Sequence, residues 1–145
     1  MKFFALAVLL SSFAIAKDRL PDACGPDVSF KRLNGMPAMA RLDNGKALIY
    51  IIGFGKYAAD GHMLGEVDRS YSTVQLTPGE HHLCGEFRLG FHTVVALHSL
   101  NVKAGETYYV EMGFAGRGPY AFKILDPDEA GYRISKLPFT VSTPK

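Results

Sequence analysis

Tryptophan is absent from this chain of 145 residues, and cysteine occurs only twice. Runs of basic residues are also missing, the closest being the pair Lys31-Arg32. The formal net charge is +2, so the chain has no electrostatic feature that favours nucleic acid or an anionic membrane surface. No apolar stretch beyond the first sixteen residues reaches the roughly 20 residues that a helix needs to cross a bilayer. We therefore expect no nucleic-acid partner and no membrane-spanning segment in the mature chain.

The first sixteen residues have the pattern of an export signal. A short positive start, Met1-Lys2, precedes the uncharged apolar run of residues 3–16. The run ends in Ala14-Ile15-Ala16, with the small residues that signal peptidase accepts, and it is short for a membrane span. We predict a signal peptide over residues 1–16, cleavage before Lys17, and a mature protein in the periplasm or outside the cell.

Export changes the meaning of the two cysteines, Cys24 and Cys84. In an oxidising compartment a lone pair of cysteines most simply forms one disulfide, which here would join the N-terminal segment to the middle of the domain. Two alternatives stay open. Cys24 is a lipid-attachment site in one of them, although charged residues separate it from the apolar run. In the other, both cysteines are free or bind a metal ion.

The rest of the chain alternates short apolar runs with turn signals. Residues 17–45 are irregular and predict an N-terminal arm with at most a short strand near residues 28–30. Residues 46–145 predict one all-β domain, an antiparallel β-sandwich of about seven strands, because turn signals recur every eight to twelve residues and no amphipathic helix is evident. The expected strands cover residues 47–52, 63–67, 71–76, 80–88, 93–102, 106–112, 120–125 and 132–135. The expected loops and turns cover residues 53–61, 113–119 and 126–131.

Four stretches of this chain together resemble a known family. They are Cys24-Gly25-Pro26 and the runs of residues 45–51 (GKALIYI), 78–84 (PGEHHLC) and 104–110 (AGETYYV). In order and spacing they resemble a bacterial exported domain of unknown function found in secreted proteins and lipoproteins. The two turns in them are also similar to those of surface-layer and carboxypeptidase-regulatory-like sandwiches. The resemblance implies export and a sandwich fold but no catalytic residues. One departure is Arg69, which follows Val67-Asp68 where that family often has glycine.

The segment His81-His82-Leu83-Cys84 is the strongest candidate for metal chemistry, since imidazole and thiolate bind zinc or copper. Along a strand His81 and His82 point to opposite faces, so only His82 and Cys84 share one. A metal site would then need Cys24, or another residue such as Glu86, His92 or His98, as a further ligand. The simpler interpretation places His82 in solvent and Cys84 in a disulfide.

Other chemical motifs are incomplete. Asp126 to Gly131 begins like a calcium loop, but Ala130 and Leu137 stand where ligands are needed, so a turn with a capped helical start is expected. The glycines of residues 53–55 and 113–118 open no helix and predict turns rather than a phosphate loop. Seven tyrosines could stack on sugars at a sheet face, although strand aromatics more often fill a core.

These patterns predict a non-catalytic, envelope-associated binding or accessory module without a cofactor. Its partner would be a protein or glycan of the cell envelope, and the sequence does not identify the residues that bind it. The first alternative is a metal-binding protein that uses His82, Cys84 and Cys24. The second is a small hydrolase on a sandwich scaffold, which would need a pocket where His81 or His98 meets a carboxylate and a hydroxyl.

Overall fold

β-Strands account for most of the computed structural model, which describes residues 24–35, 42–114 and 116–145. The predicted signal peptide and much of the predicted arm lie outside these residues. The described residues form eight strands and one helix: β1 (Phe30–Asn34), β2 (Ala47–Ala59), β3 (His62–Leu76), β4 (Gly79–Leu89), β5 (His92–Val102), β6 (Thr107–Phe114), β7 (Tyr120–Leu125), α1 (Pro127–Ile134) and β8 (Thr140–Pro144). No helix among them is long and apolar enough to cross a membrane.

Six of the strands form one sheet with the order β5-β4-β2-β6-β7, and β3 pairs with β2. β1 and β8 form a separate antiparallel pair. The arrangement is sandwich- or barrel-like, and the predicted all-β fold is confirmed. Most pairs are antiparallel, but β2 and β6 run parallel from Leu48–Thr107 to Gly53–Met112. The connection between these two strands passes through the β3-β4-β5 hairpins.

β2 belongs to both halves of the sheet because it changes partner along its length. Its first half pairs with β6 as far as Gly53, and its second half pairs with β4 from Lys56 to Ala59. β3 follows it throughout on the other edge. The predicted loop over residues 53–61 is therefore wrong, since the glycines bend a continuous strand. The true turn is Asp60-Gly61, whose positive φ values suit a two-residue hairpin.

Three further predictions are corrected at element boundaries. The two strands expected over 63–67 and 71–76 are one strand, β3, which continues through a bulge. The strand expected over 132–135 is the end of α1, because the helix that begins after Asp126 continues to Ile134. The short strand expected near 28–30 is β1, and its partner is the unpredicted strand β8.

The main core lies between the two halves of the sheet. The alternate residues Ala47, Ile49 and Ile51 of β2 point into it and are almost completely buried, as the period-2 geometry of a strand requires. Val110 and Met112 of β6 face them, with no exposed surface. This packing fixes which face of β2 is internal and leaves the opposite face for α1.

α1 covers the outer face of β2 and its neighbours. Ala130 of the helix is fully buried against Ile52, Tyr71 and Leu125. Pro127 at the first turn and the acidic residues of that turn suit a helix N-terminus. The helix and the segment after it therefore form one wall beside the bend of β2.

Candidate ligand-binding site

The predicted disulfide is present between Cys24 and Cys84, whose Cα atoms are 5.2 Å apart. Both cysteines are buried and pack against Ala58 and Met63. His82 is exposed and its Nδ1 lies 3.1 Å from the hydroxyl of Ser99. Within the described ranges no group of three or more His, Cys, Asp or Glu side chains is placed to hold a metal ion.

His81 is held between two oxygen atoms beside the turn that joins β2 to β3. Its Nδ1 lies 2.6 Å from the Asp60 carboxylate, and its Nε2 donates to the carbonyl oxygen of Thr77, also at 2.6 Å. Burial lowers the pKa of His81, but the hydrogen bonds to Asp60 and Thr77 outweigh it and raise the pKa above its ordinary value. Both ring nitrogens therefore face acceptors, which favours the protonated ring.

Asp60 makes a second contact that fixes this corner. Its other carboxylate oxygen accepts a hydrogen bond from the backbone N–H of His82 at 2.9 Å. That bond, followed by the one to His81, lowers the pKa of Asp60. In return, the backbone N–H of Asp60 donates to the His82 carbonyl. The cluster stabilises a turn in which Asp60 adopts a left-handed conformation.

These contacts divide the parts of a catalytic triad between two histidines. His81 has a carboxylate on one nitrogen, but a carbonyl rather than a hydroxyl on the other. His82 has the hydroxyl of Ser99, but it meets Asp60 through its backbone. His98 packs near the ring of Phe122. Neither arrangement aligns nucleophile, base and orienting acid in the order that hydrolysis needs.

Asp126 is a helix cap, as the sequence predicted. Its carboxylate accepts a hydrogen bond from the backbone N–H of Glu129 at 2.9 Å. A side chain in this role satisfies one of the free N–H groups of the first turn. The calcium-like spacing of Asp126 to Gly131 thus belongs to the start of α1.

A groove opens where β2 leaves β6, and we call it the fork groove. The ladder between the two strands ends at Gly53–Met112, while β6 continues to Phe114. Gly53 has a φ of +120°, and a Cβ there would collide with the carbonyl of Met112. Only glycine therefore permits the bend, and the bend creates the opening.

The fork groove has an apolar floor and a charged rim. Its volume is about 380 Å³, within the range of small-molecule sites. The buried residues Ile52 and Met112 lie in the floor. Among the described residues, the lining consists of Ile52, Gly53, Phe54, Arg69, Glu111, Met112, Gly113, Phe114, Arg133, Lys136 and Leu137.

Phe54 forms the side of the groove nearest the core. Its ring belongs to a cluster with Phe87, Phe114 and Tyr120, in which all ring centroids lie 4.7 to 6.1 Å apart. The Tyr120 hydroxyl donates to the Phe54 carbonyl at 2.6 Å. Burial raises the pKa of that phenol well above its ordinary range, so it stays protonated as a donor. These ring contacts and this hydrogen bond hold Phe54 in place.

Arg69 stands at the rim in an unusual conformation. It is the extra residue of a bulge, because Gly53 pairs with Ser70 and Phe54 with Asp68. Its φ of +48° lies in the left-handed region, which costs an arginine about 1 kcal/mol or more. Its exposed guanidinium makes no hydrogen bond or ion pair with the described residues.

A second cleft, of about 520 Å³, lies on the other side of Phe54. We call it the charged cleft. Two ion pairs lie in it: Lys56 binds Asp27 at 2.6 Å, and Arg32 binds Asp68 at 3.3 Å. Exposed ion pairs of this kind contribute little to stability. The fork groove differs in its apolar floor, to which the buried residues Ile52 and Met112 contribute.

The tyrosines divide between core and surface. Tyr57, Tyr71 and Tyr120 are buried, as the core interpretation predicted, whereas Tyr132 is 61% exposed. Tyr50 and Tyr109 are half-buried on the outer sheet face, with ring centroids 5.0 Å apart. No tyrosine lines either cleft.

The residues of the fork groove were not identified as a site from the sequence. The stretches 53–55 and 113–118 drew attention as glycine-rich but were interpreted as turns. The signal available was the position of Gly53-Phe54-Gly55 directly after a buried strand, which marks a bend or close approach. Comparison with protein-family models, curated proteins and solved structures found no match.

Proposed function

We propose that this protein is an exported, non-catalytic binding or accessory module of the cell envelope, and that the fork groove is its ligand-binding site. The observation that carries the proposal is the groove itself. It has a volume of about 380 Å³, an apolar floor, and at its rim Arg69, which makes no ion pair with the described residues. Apolar grooves with a few placed polar groups are typical of ligand sites.

Export is supported by two features from different parts of the chain. One is the apolar run of residues 3–16, which fits a cleaved signal. The other is the Cys24–Cys84 disulfide, since such bonds persist in oxidising compartments. Together they favour the periplasm or the cell exterior.

A binding rather than catalytic role is supported by the chemistry of the lining residues. Glu111 is the carboxylate of the fork groove, and Arg133 holds it at 2.8 Å. Because the Arg133 guanidinium already occupies this carboxylate, it is poorly placed to act as a general base toward a ligand. The histidines that could act as bases lie at the β2–β3 corner or in the sheet, away from the groove lining.

The proposal can be tested by nuclear magnetic resonance with the isotope-labelled secreted chain. A library of small anionic, neutral and cationic fragments is added, and binding is read from the backbone amide shifts. We expect bound fragments to shift the amides of Gly53, Arg69 and Gly113. Fragments that bind only elsewhere, or no binding at all, would contradict the assignment of the groove.

A matched pair of variants sharpens this test. Gly113→Val places a side chain in the groove, where a Cβ already lies 3.3 Å from the Phe54 ring. Gly131→Val makes the same change in α1, where nothing lies within 4 Å of the new Cβ. We expect the first variant to lose fragment binding and the second to keep it, with folding of both checked by thermal melting.

A further inference from the structure

We infer that the fork groove binds a small carboxylate with an unbranched aliphatic chain. In this arrangement the carboxylate pairs with Arg69 and the chain lies along the apolar floor. The inference rests on the proposed function, because it names the ligand class of the same site. It follows from the charge of the rim, the state of each cation, and the shape of the floor.

The rim attracts anions. In the described part of the chain, three cations line the groove, Arg69, Arg133 and Lys136, against the single carboxylate of Glu111. Where the lining is low in polarity, the attraction between opposite charges is stronger than in water. A cationic or neutral head group would gain less from this rim than an anionic one.

Two of the three cations are already engaged. Arg133 binds Glu111 at 2.8 Å and Glu129 at 3.5 Å. The ammonium group of Lys136 bonds the Tyr132 hydroxyl and lies 4.2 Å from the centre of its ring. The guanidinium of Arg69 remains available to a ligand.

One available guanidinium suits a carboxylate. Its planar fork can donate two parallel hydrogen bonds to the two oxygen atoms of a carboxylate. A phosphate group carries more charge and more acceptor oxygens, and it is usually held by several donors together. The groove offers a free donor set for a single, planar, monovalent anion.

The floor suits a slender chain. Ile52 and Met112 have at most 1% exposed surface, so the floor below the groove is closed and apolar. Gly53 and Gly113 leave space at backbone level, but a single Cβ on Gly113 would already lie 3.3 Å from the Phe54 ring. A chain of methylene groups fits such a channel better than a branched or aromatic group does.

Calorimetric titration of the full secreted chain with octanoate and 1-octanol tests this inference. The two probes have the same chain length and differ in charge. We expect octanoate to bind at least about tenfold more tightly than octanol, the effect of one charge-assisted contact. In Arg69→Gly the two probes should bind with similar, weak affinity.

Arg88→Gly is the matched control, because Arg88 is an exposed arginine of the charged cleft. It should leave the affinity for octanoate unchanged. An equal loss of octanoate affinity in Arg69→Gly and Arg88→Gly would overturn the inference, since it would indicate a general effect of charge. A peptide with an apolar C-terminal residue that bound in the groove more tightly than octanoate would also overturn it.

The outcomes separate this inference from the proposed function. Equal binding of octanol and octanoate, unaffected by Arg69→Gly, would overturn the carboxylate assignment while leaving the groove as a binding site. If neither octanol nor octanoate bound while other fragments shifted the groove amides, the carboxylate assignment would again be overturned and the groove would remain a binding site. Failure of every fragment at the groove would overturn the proposed function itself.

Discussion

Arg69 combines an unfavourable backbone conformation with an unpaired charge. A non-glycine residue at φ of +48° is strained, and such strain persists where the surrounding structure imposes it. Here the bulge opposite Gly53 imposes it. A residue that costs stability while it presents a cation to a groove is expected where binding matters more than stability.

The strain at Arg69 predicts an unusual effect of glycine. Arg69→Gly should leave the free energy of unfolding unchanged or raise it by up to about 1 kcal/mol, because glycine adopts positive φ freely. Arg88→Gly, at a strand position with an ordinary φ, should lower it by about 0.5–1 kcal/mol. Urea unfolding of both variants measures the difference. A larger loss in Arg69→Gly than in Arg88→Gly would show that Arg69 is not strained.

The Asp60–His81 pair predicts a dependence of stability on pH. His81 has a raised pKa in the folded chain. Its contribution to the free energy of unfolding is therefore complete below pH 6.5, the ordinary pKa, and is lost as the pH rises through the higher folded pKa. Asp60 has a lowered pKa, so its contribution is complete above 3.8 and is lost as the pH falls through the lower folded value. Both contributions are complete between these two ordinary values.

This dependence is measured as the stability difference between the native chain and His81→Gln at several pH values. The difference should grow as the pH falls from 8 to 6. Asp60→Asn is the control, because asparagine tolerates the left-handed turn and can still accept from the His82 amide. When Asp60→Asn is present, the stability difference caused by His81→Gln should change little with pH. If the difference still grew as the pH fell, the pH dependence would come from other groups.

At the scale of elements, β2 was predicted from the sequence only in its first half. Residues 47–52 were predicted as a buried strand because both faces are apolar, and the structure confirms it. The continuation to Ala59 was missed, because Gly53 and Gly55 are ordinary signs of a turn. Here they permit close approach to Met112 and Tyr120, which lie far away in the sequence. Local patterns carry no information about such neighbours.

The same limit explains the other errors. β8 was missed because its sequence, TVSTP, has no apolar alternation, and it is a strand only because β1 pairs with it. Residues 132–135 were predicted as a strand from the few residues of that stretch alone. Most of them belong to α1, which begins after the cap at Asp126 and continues to Ile134. The sequence offered no sign that Arg69 lies at a groove, because its place there depends on the bulge opposite Gly53.

The bend of β2 predicts a large effect at Gly53. Gly53→Ala should lower the free energy of unfolding by more than about 2 kcal/mol, because the new Cβ meets both positive φ and the Met112 backbone. Gly105→Ala also has positive φ, but nothing lies within 4 Å, so its cost should be near 1 kcal/mol. Denaturant unfolding compares the two. Equal losses would mean that the close approach to β6 adds nothing.

At the scale of the whole molecule, the disulfide joins parts of the chain 60 residues apart. A cross-link of that span restricts the unfolded chain, and loss of a native bridge in a small exported domain typically costs 2–5 kcal/mol. We expect Cys84→Ala to lower the free energy of unfolding by about that amount, as judged by urea unfolding. Reductant should have the same effect on the native chain and none on the variant. An unchanged transition would show that the bridge does not stabilise the fold.

The pairing of β1 with β8 has a consequence for the order of events in the life of the chain. The Thr143 hydroxyl reaches the Lys31 carbonyl across 112 positions of sequence, and the ladder joins Phe30 to Pro144. Contacts of such separation form late, because a long loop must close first. A chain emerging from a ribosome holds β1 without its partner until β8 has been synthesised. The β1–β8 pair is therefore expected to close the fold only when synthesis of the chain is almost complete.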